Sequence, residues 1–585
     1  MSNKFESLST DPGPSKRGLE DLDTLEGEEI YNETDAFMKE DICTVKPDSE
    51  GASTPGEEDD LFLFARGEVH SCRILLKGLE EFKNGSGLTT SVAKSTVFFC
   101  QVPQRVKRAI LAIMPFDEGK LPVKYLGVPL ISTNLVASNC KILIEKVDRR
   151  IDDWKNKSLS FAGRLQLIVS VISSMYVYWA SVLVLPSSTV KELEQKMKGF
   201  LWQKNSNERA KSKVAWSDVC LPKTEGGLGI RKISDVNRSL ISYHLWSIII
   251  HRKSLWVDWI YDHKLKGRSI WDVTPKAKMT WSWRKILQIR ELIRPHIRQK
   301  IGNGRDTFAW SDNWCNQSPL NRFITPRDIY NAGFSLHAKV ADLVSNMNWK
   351  WPVAWYDLFP VLIHVHVPVI STNRKDVTIW HDMHGEERTF STMMVWDTIR
   401  QRKQLINWYN VVWFTHCIPR HAFHAWLVCQ NKLNTQDRMK KWNMNMSCCP
   451  LCMRNIDSHE HLFFECAFAN QVWKAIRVFT DMVQVDGKWE DIVQFFISRG
   501  EWKSISSIVD RLVLGAAAYY VWQERNARLF ENDKRTPTQI SNVILKTVRM
   551  RLLSIRMKDS ITTRRIMAKW DILKTKEANR MDDKG

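Results

Sequence analysis

The sequence predicts a mainly α-helical protein with small β elements, in the α+β class. Apolar residues recur at helical spacing through residues 144–201, 232–300 and 509–573, as expected for helices that bury one face. Between these stretches lie short β-prone runs bounded by Gly and Pro, which predict short strands and turns. With 585 residues, 44% of them hydrophobic, the chain is long enough for about three or four domains with buried cores.

The first 58 residues are predicted to be a disordered acidic tail. Residues 1–60 hold 5 Lys and Arg against 18 Asp and Glu, and they contain few periodic apolar residues. Such a segment buries too little apolar surface to offset the entropy lost on ordering. These residues carry a net charge of −13, which leaves +33 on residues 61–585. The rest of the protein is therefore strongly basic.

The next elements are predicted to be strand, helix and strand. The β-prone runs are residues 61–64 and 96–100, and residues 73–82 between them have one apolar helical face. Residues 121–131 form an extended segment that Pro and Gly interrupt. The order of these elements indicates a small α+β segment before the first helical bundle.

A bundle of three helices is predicted to follow, up to residue 205. The first helix has its apolar residues between Ile144 and Trp154, and the third begins at a capping box that starts with Thr189. The second covers residues 165–185, a stretch long enough to cross a bilayer. Because Gln166 and four serines interrupt it, we expect a buried core helix and no membrane segment. The N-terminus has no pattern of a secretory signal.

The remaining chain is predicted to be helical with a few β elements. Residues 232–300 carry amphipathic helical patterns, and the Asn-Gly pair within residues 301–314 predicts a tight turn between two short strands. Residues 370–400 contain short β-prone runs, and residues 405–445 are helical. Residues 476–585 are basic and helical, with no β-rich segment that presents ordered carboxylates. We therefore expect no ribonuclease H active site there.

Four potential metal ligands lie close together in the C-terminal third of the sequence. They follow the pattern C-x2-C-x8-H-x4-C and are Cys449, Cys452, His461 and Cys466. Zinc takes thiolate and imidazole ligands in a tetrahedron, and four protein ligands leave no position for a reacting water. The pattern therefore predicts a structural Zn²⁺ ion. His459 and Cys448 are alternative ligands, and the alternative to a metal site is a set of buried thiols with a surface histidine.

The other cysteines are scattered without paired spacing, which argues against a framework of disulfides. We therefore expect an intracellular protein in a reducing compartment, the nucleus or the cytoplasm.

The excess of positive charge makes RNA and/or DNA the first partner to expect. The alternative is a solvated basic surface without a specific ligand. Many of the 26 tryptophans sit beside Lys or Arg, as in Trp154-Lys155 and Trp283-Arg284. Such pairs can stack on bases and contact phosphates, although a tryptophan at helical spacing is more often a core residue. No pattern identifies a small-molecule substrate or an oligomeric state.

Several short strings occur in a consistent order between residues 59 and 573. They are DDLFLF at 59–64, SGL at 86–88, YLGVPL at 125–130, EGGLG at 225–229, IPRHAFHAWL at 418–427 and HLFFEC at 461–466. Together they resemble the C-terminal part of plant LINE-type (non-LTR) retrotransposon reverse transcriptases, including the zinc-binding region of that family. Each string is weak by itself, but the ordered set is specific.

The resemblance implies a fold built from a truncated polymerase palm, a helical thumb, a connecting region and a zinc-stabilised helical module. It divides the sequence into an acidic disordered tail (1–58), a palm remnant (59–120), a helical thumb-like bundle (121–205), a connecting region (206–370), a reverse-transcriptase zinc-binding domain (371–480) and a basic helical C-terminal region (481–585).

The family's activity is RNA-templated DNA synthesis with two divalent metal ions held by paired carboxylates. Asp59 and Asp60 match that pair. An active palm needs a further carboxylate from an earlier strand, and none of the 58 residues before Asp59 resembles that motif. Pro55 and Gly56 disfavour the strand that should precede the pair, and two further glutamates crowd it. We expect Asp59 and Asp60 to be relics, so Mg²⁺ is a cofactor only if polymerase activity survives.

The predicted function is therefore that of a truncated retrotransposon reverse transcriptase-like protein without polymerase activity, which retains nucleic-acid binding and a structural zinc module. One alternative is a domesticated, zinc-dependent protein-interaction module. The other is an RNA-directed DNA polymerase that another chain completes.

Overall fold

The computed structural model describes residues 62–92, 95–100, 102–131, 133–155, 157–202, 212–439, 448–485, 488–500, 502–531 and 533–572. The chain divides between Leu405 and Ile406 into two compact units, called here the N-terminal unit (described residues 62–405) and the C-terminal unit (described residues 406–572). Both are mainly helical, and the strands of the described residues are few, short and confined to the N-terminal unit. The predicted class, mainly α with small β elements, is confirmed. The predicted disordered tail, residues 1–58, lies outside the described residues.

The helices of the N-terminal unit include a bundle of three and a fourth helix that packs against it. They are α1 (Val69–Ser86), α2 (Gln104–Leu111), α3 (Lys141–Lys155), α4 (Phe161–Val182), α5 (Ser187–Trp202), α6 (Trp216–Val219), α7 (Ile233–Ile249), α8 (Leu255–Ile260), α9 (Trp281–Ile293), α10 (Pro326–Asn331), α11 (Trp355–Leu358) and α12 (Thr392–Ile399). Helices α3, α4 and α5 form the predicted bundle, and α7 packs against α4 and α5. Buried aliphatic side chains such as Val147, Ile168, Leu193 and Leu240 fill its centre.

The end of α4 is determined by a side chain from α7. Asn237 is 4% exposed, and its Nδ2 donates to the carbonyl oxygens of Ala180 and Leu183 at 2.6 and 2.8 Å. Its Oδ1 accepts from the backbone N–H of Leu185 at 2.8 Å. Helix termini leave carbonyl groups without intrahelical partners, so one buried amide satisfies the last turn of α4 and fixes the chain reversal into α5.

Helix α4 is the apolar stretch that the sequence assigned to the core. By length and composition it could cross a membrane, and half of its most apolar window is buried inside the protein. Ile168, Ile172 and Ala180 are completely buried, in keeping with a core helix. The absence of a membrane segment stays a prediction.

The strands form four small sheets. They are β1 (Thr96–Val97), β2 (Asp117–Glu118), β3 (Val123–Tyr125), β4 (Val128–Leu130), β5 (Ile297–Lys300), β6 (Val344–Ser345), β7 (Asn348–Trp349), β8 (Val377–His381) and β9 (Glu387–Arg388). Strands β1 and β2 are parallel, β3–β4 and β6–β7 are antiparallel pairs, and β5–β8–β9 is an antiparallel sheet with Ile297 opposite Trp380. Thus residues 121–131, predicted to be extended, form the hairpin β3–β4.

Two local predictions are wrong. Residues 62–64 lie in no strand; Phe62 instead contacts the rings of Phe98 and Tyr125. Thr189 is not an N-cap, because α5 begins at Ser187 and Thr189 is buried inside its first turn. A capping box does form between Thr536 and Gln539, at the start of the helix Pro537–Leu553. In each case tertiary packing decided between local alternatives.

The predicted strand pair within residues 301–314 is also wrong, because a distant carboxylate organises this loop. Asp376 accepts hydrogen bonds from the backbone N–H groups of Gly302, Gly304, Asp306 and Thr307 at 2.7–3.1 Å and from Thr307 Oγ1 at 2.8 Å. Burial opposes ionisation of Asp376, but these donors outweigh it and lower its pKa. A carboxylate that faces several N–H groups is a charge-assisted anchor, so the segment is a loop closed around Asp376.

The C-terminal unit is built around one long helix. Its helices are α13 (Tyr409–Val412), α14 (Pro419–Cys429), α15 (Gln436–Met439), α16 (Ala467–Arg477), α17 (Trp489–Arg499), α18 (Ile505–Phe530), α19 (Pro537–Leu553) and α20 (Ile561–Lys569). Helix α18 packs against α14, α16, α19 and α20, and Ala516, Ala517 and Ala518 along it are completely buried. Small residues at this position let neighbouring helices approach closely, so α18 is the central element on which the site is assembled.

Candidate metal centre

The first two sulfur atoms of the site come from a tight turn. Cys449 N donates to Asn455 O at 2.6 Å and Met453 N to Cys449 O at 2.8 Å, and an antiparallel bridge pairs Cys448 with Ile456. The turn between Cys449 and Cys452 is thus closed from both sides. Cys449 is completely buried and Cys452 is half-buried, so both sulfurs lie on the inner side of the turn.

The other two ligand side chains come from an irregular helical turn before α16. The turn is His461–Glu465, and Phe464 within it has φ 79°, a left-handed conformation that is rare for a bulky residue. Phe464 is 1% exposed and its ring stacks on Trp473 with 4.6 Å between centroids. Packing therefore holds the reversal. Because the chain reverses here, His461 and Cys466, the N-cap of α16, lie next to each other.

The four side chains form one compact cluster. Cys449 Sγ and Cys466 Sγ are 3.9 Å apart, and Cys452 Sγ is 3.2 Å from His461 Nε2. All four ligand atoms lie within 4.8 Å of one another. With zinc–sulfur bonds of about 2.3 Å, two thiolates on one tetrahedral ion are about 3.8 Å apart. Three sulfurs and one imidazole nitrogen at these separations fit a tetrahedral zinc ion.

The electrostatics of the cluster also suit a cation. The hydrogen bond to Cys466 and burial raise the pKa of Cys449. The hydrogen bond from Cys449 lowers the pKa of Cys466 despite burial, and the backbone N–H groups of Ala469 and Phe468 lower it further. Thiolates at helix N-termini are favoured for this reason. A divalent ion among the three sulfurs would stabilise all of them as thiolates.

The two alternative ligands lie outside this cluster. His459 packs its ring against Phe463 with 5.1 Å between centroids, and burial lowers its pKa to about 4. Cys448 is exposed. The second ring nitrogen of His461, Nδ1, lies 3.3 Å from Asn455 Nδ2. Contacts of this kind orient a metal-binding imidazole, and the sequence pattern did not indicate the part that Asn455 plays.

The predicted polymerase residues Asp59 and Asp60 lie outside the described residues.

Among the comparisons with known proteins, one family model covers this site. A family model described as zinc-binding in reverse transcriptase matches residues 390–473. A putative ribonuclease H protein of Arabidopsis thaliana is 24% identical over 428 residues, which cover 70% of this chain and 67% of that protein. An uncharacterised mitochondrial protein of the same plant is 30% identical over 146 residues, which cover 25% of this chain and 95% of that protein. This chain belongs to the plant retrotransposon reverse-transcriptase-type proteins.

In this reverse-transcriptase-type protein, helix α18 supports the candidate metal site. This helix lies beyond the segment that the family model matches. Asp457, between the cysteine turn and His461, is completely buried and forms an ion pair with Arg525. Asp457 Oδ2 also accepts from Gln436 N at 3.0 Å. Arg528, one turn further along α18, donates to Leu451 O at 3.2 Å. The cysteine turn is therefore attached to α18 by two guanidinium groups.

Arg528 is itself held in place by a buried carboxylate. Glu524, completely buried, accepts from Arg528 Nε and Arg535 Nε at 2.8 Å each. The helical pattern predicted for residues 509–573 includes Arg525 and Arg528, but it holds no signal that pairs them with residues about 70 positions earlier. A hint in the sequence was that Arg525 and Arg528 are three residues apart, which places them on one face of a helix.

Proposed function

We propose that this protein binds RNA or DNA through a basic surface, carries one structural zinc ion and does not polymerise nucleotides. The observation that carries nucleic-acid binding is the charge of residues 534–572, which contain 10 Lys and Arg against 2 Asp and Glu. These residues form α19 and α20 of the C-terminal unit. A helical pair with such an excess of cationic groups matches the electrostatic footprint of a phosphate-binding surface.

Seven of the ten basic side chains of this segment are exposed. Both acidic groups are already paired, Asp559 with Arg564 and Asp571 with Arg549, so they do not cancel the remaining charge. Exposed side chains in the segment include Lys546, Arg556, Lys558, Arg565 and Lys569. Binding by such groups releases condensed counterions from the nucleic acid and weakens steeply as salt rises.

A salt titration tests this proposal. We expect the full chain to bind RNA and DNA at low salt, with a logarithm of affinity that falls linearly with the logarithm of salt concentration. The double variant Lys546→Glu/Arg556→Glu should flatten that slope by about 2, since each lost phosphate contact removes about 0.9. The matched control is Lys77→Glu/Lys141→Glu, which changes the charge equally at exposed residues of α1 and α3. Absence of binding at low salt would refute the proposal.

The zinc assignment rests on the cluster of Cys449, Cys452, His461 and Cys466, whose atoms meet at tetrahedral separations. A zinc ion there would join the cysteine turn to the start of α16 and, with four protein ligands, would have no open position for a reaction. The protein itself also holds the cysteine turn in place, through Asp457 and the guanidinium groups of α18.

Neighbouring cysteines offer a sharp test of the zinc assignment. Purified full-length protein should contain about one zinc per chain, and Cys449→Ser should lose it. Cys448→Ser changes the adjacent, exposed thiol and should retain the metal. Equal zinc content in the two variants, measured by atomic absorption, would refute the assignment.

The absence of polymerase activity is proposed from the residues around Asp59 and Asp60. Pro55 and Gly56 disfavour a ladder strand before the pair, and like charges at Glu57 and Glu58 oppose the geometry that two catalytic ions require. Primer extension with Mg²⁺ or Mn²⁺ tests the point. Synthesis that Asp59→Ala abolishes would overturn it and would favour a polymerase completed by another chain.

The proposal also assigns the chain to the LINE-type (non-LTR) branch and to a reducing intracellular compartment, the nucleus or the cytoplasm. Zinc-bound thiolates persist where thiols stay reduced, which supports the compartment. No ribonuclease H activity is proposed for the C-terminal region, since residues 457–572 contain no strand wherever the structure describes them.

A further inference from the structure

Two tryptophans of the described chain are more exposed than the others. The sequence contains 26 tryptophans, and of those that the structure describes, all except Trp256 and Trp259 are buried or half-buried. Trp256 is 40% exposed and Trp259 is 45% exposed. Both lie on α8. An indole buries more apolar surface than almost any other side chain, so two partly exposed indoles on one helix favour a binding surface at this helix.

Helix α8 holds these two side chains on one rigid face. Residues three apart on a helix are neighbours on its surface. The adjacent face of the helix is anchored, since Val257 and Ile260 are 1% and 3% exposed. Ser254 Oγ caps the helix by accepting from Val257 N at 3.3 Å. The exposed indoles therefore lie on a helix that its buried side chains fix to the rest of the protein.

Lys and Arg outnumber acidic residues in the sequence around the indoles. Residues 251–268 contain five Lys and Arg against two Asp. Lys264 Nζ lies 4.9 Å from the centroid of the Trp259 ring, and Lys253 and Lys266 are exposed on either side of the helix in sequence. Asp258, the acidic group nearest in sequence, lies 3.6 Å from His251 Nε2. The surface thus combines aromatic faces with cations.

We propose that Trp256 and Trp259 form a stacking platform for unpaired bases of single-stranded RNA or DNA, with Lys253, Lys264 and Lys266 contacting its phosphates. Every base has an aromatic face, so stacking of this kind tolerates sequence. A duplex keeps its bases stacked inside and offers only phosphates to the same surface. The platform therefore discriminates single strands from duplexes, whereas the basic helices α19 and α20 bind both. The inference rests on the proposed nucleic-acid binding.

Fluorescence anisotropy of the full chain tests the platform. The ligands are labelled oligo(dT) and oligo(U) of about 16 nucleotides, and a duplex of equal length. Trp256→Ala/Trp259→Ala should weaken binding of the single strands by about 5- to 100-fold per lost stack and leave the duplex unaffected. Trp256→Phe/Trp259→Phe keeps aromatic faces and should restore most of the affinity. Lys546→Glu/Arg556→Glu should weaken single strands and duplex alike.

The outcomes separate the two proposals. Binding of single strands that the double alanine variant leaves unchanged overturns the platform alone, and a changed oligomeric state of that variant, seen by size-exclusion chromatography, would then assign the face to a protein partner. Failure of the wild type to bind any nucleic acid overturns both. Acrylamide quenching of wild-type tryptophan fluorescence gives a readout without substitutions. Oligo(dT) should protect the exposed indoles from the quencher, and unchanged quenching would refute stacking.

Discussion

Replacement of Arg525 by Met is expected to destabilise the C-terminal unit strongly. Arg525 and Asp457 are 1% and 0% exposed at their side chains and form an ion pair. Removal of the guanidinium leaves the Asp457 carboxylate buried with one backbone donor, Gln436 N. Breaking a buried pair on one side costs about 3–5 kcal/mol, because an uncompensated charge remains away from water. For a unit of this size the midpoint of thermal unfolding should fall by roughly 6–20 °C.

The control for this prediction is Arg564→Met, which breaks the exposed pair with Asp559 and should leave the thermal midpoint unchanged. The double variant Arg525→Met/Asp457→Asn should recover part of the loss, since it removes the stranded charge. Thermal unfolding followed by circular dichroism, with zinc content measured on the same samples, distinguishes loss of the pair from loss of metal. Equal midpoints for Arg525→Met and Arg564→Met would refute the reasoning.

Three further predictions concern the cores and the pH dependence of stability. Asp376→Asn should destabilise the N-terminal unit by about 2 kcal/mol at neutral pH. Because the pKa of Asp376 is lowered on folding, the difference in stability between the wild type and the variant should vanish as pH falls through about 4 and below. Burial lowers the pKa of His421 to about 3, so below about pH 6.5 only the unfolded chain binds a proton at this residue. The free energy of unfolding of the wild type should therefore fall by roughly 1.5 kcal/mol between pH 6.5 and 5. Trp380→Ala, at a completely buried side chain, should cost about 3–5 kcal/mol.

Urea unfolding measures all three effects. The Asp376 account fails if wild type and Asp376→Asn differ equally at pH 7 and pH 3. For the histidine, His421→Leu is the comparison, and its stability should change less than that of the wild type over the same pH range. Trp256→Ala is the matched control for Trp380→Ala, because the same side chain is exposed there; similar losses at both positions would contradict the assignment of Trp380 to the core.

The parts of the molecule that the sequence predicted are those whose signal is local. The helices α3, α4 and α7 follow from apolar spacing within single segments. The four candidate metal ligands follow from a pattern only 18 residues long, and the structure brings all four together. The supports of that cluster could not be predicted, since Arg525 lies 68 residues from Asp457. The same limit explains the loop at residues 301–314, whose carboxylate, Asp376, follows about 70 residues later.

The sequence by itself determined the class of the fold, the basic charge, the family resemblance and the candidate metal ligands, because periodicity, composition and short spacings are properties of neighbouring residues. Only the tertiary structure decided which tryptophans stay in solvent, which arginines hold the cysteine turn and where Asp376 binds. Burial and pairing depend on segments that are distant in the chain, and one residue's local pattern carries no information about such a partner. In the sequence, Trp256 and Trp259 cannot be distinguished from other helical tryptophans. Their exposure is decided by how the rest of the chain packs in the folded protein.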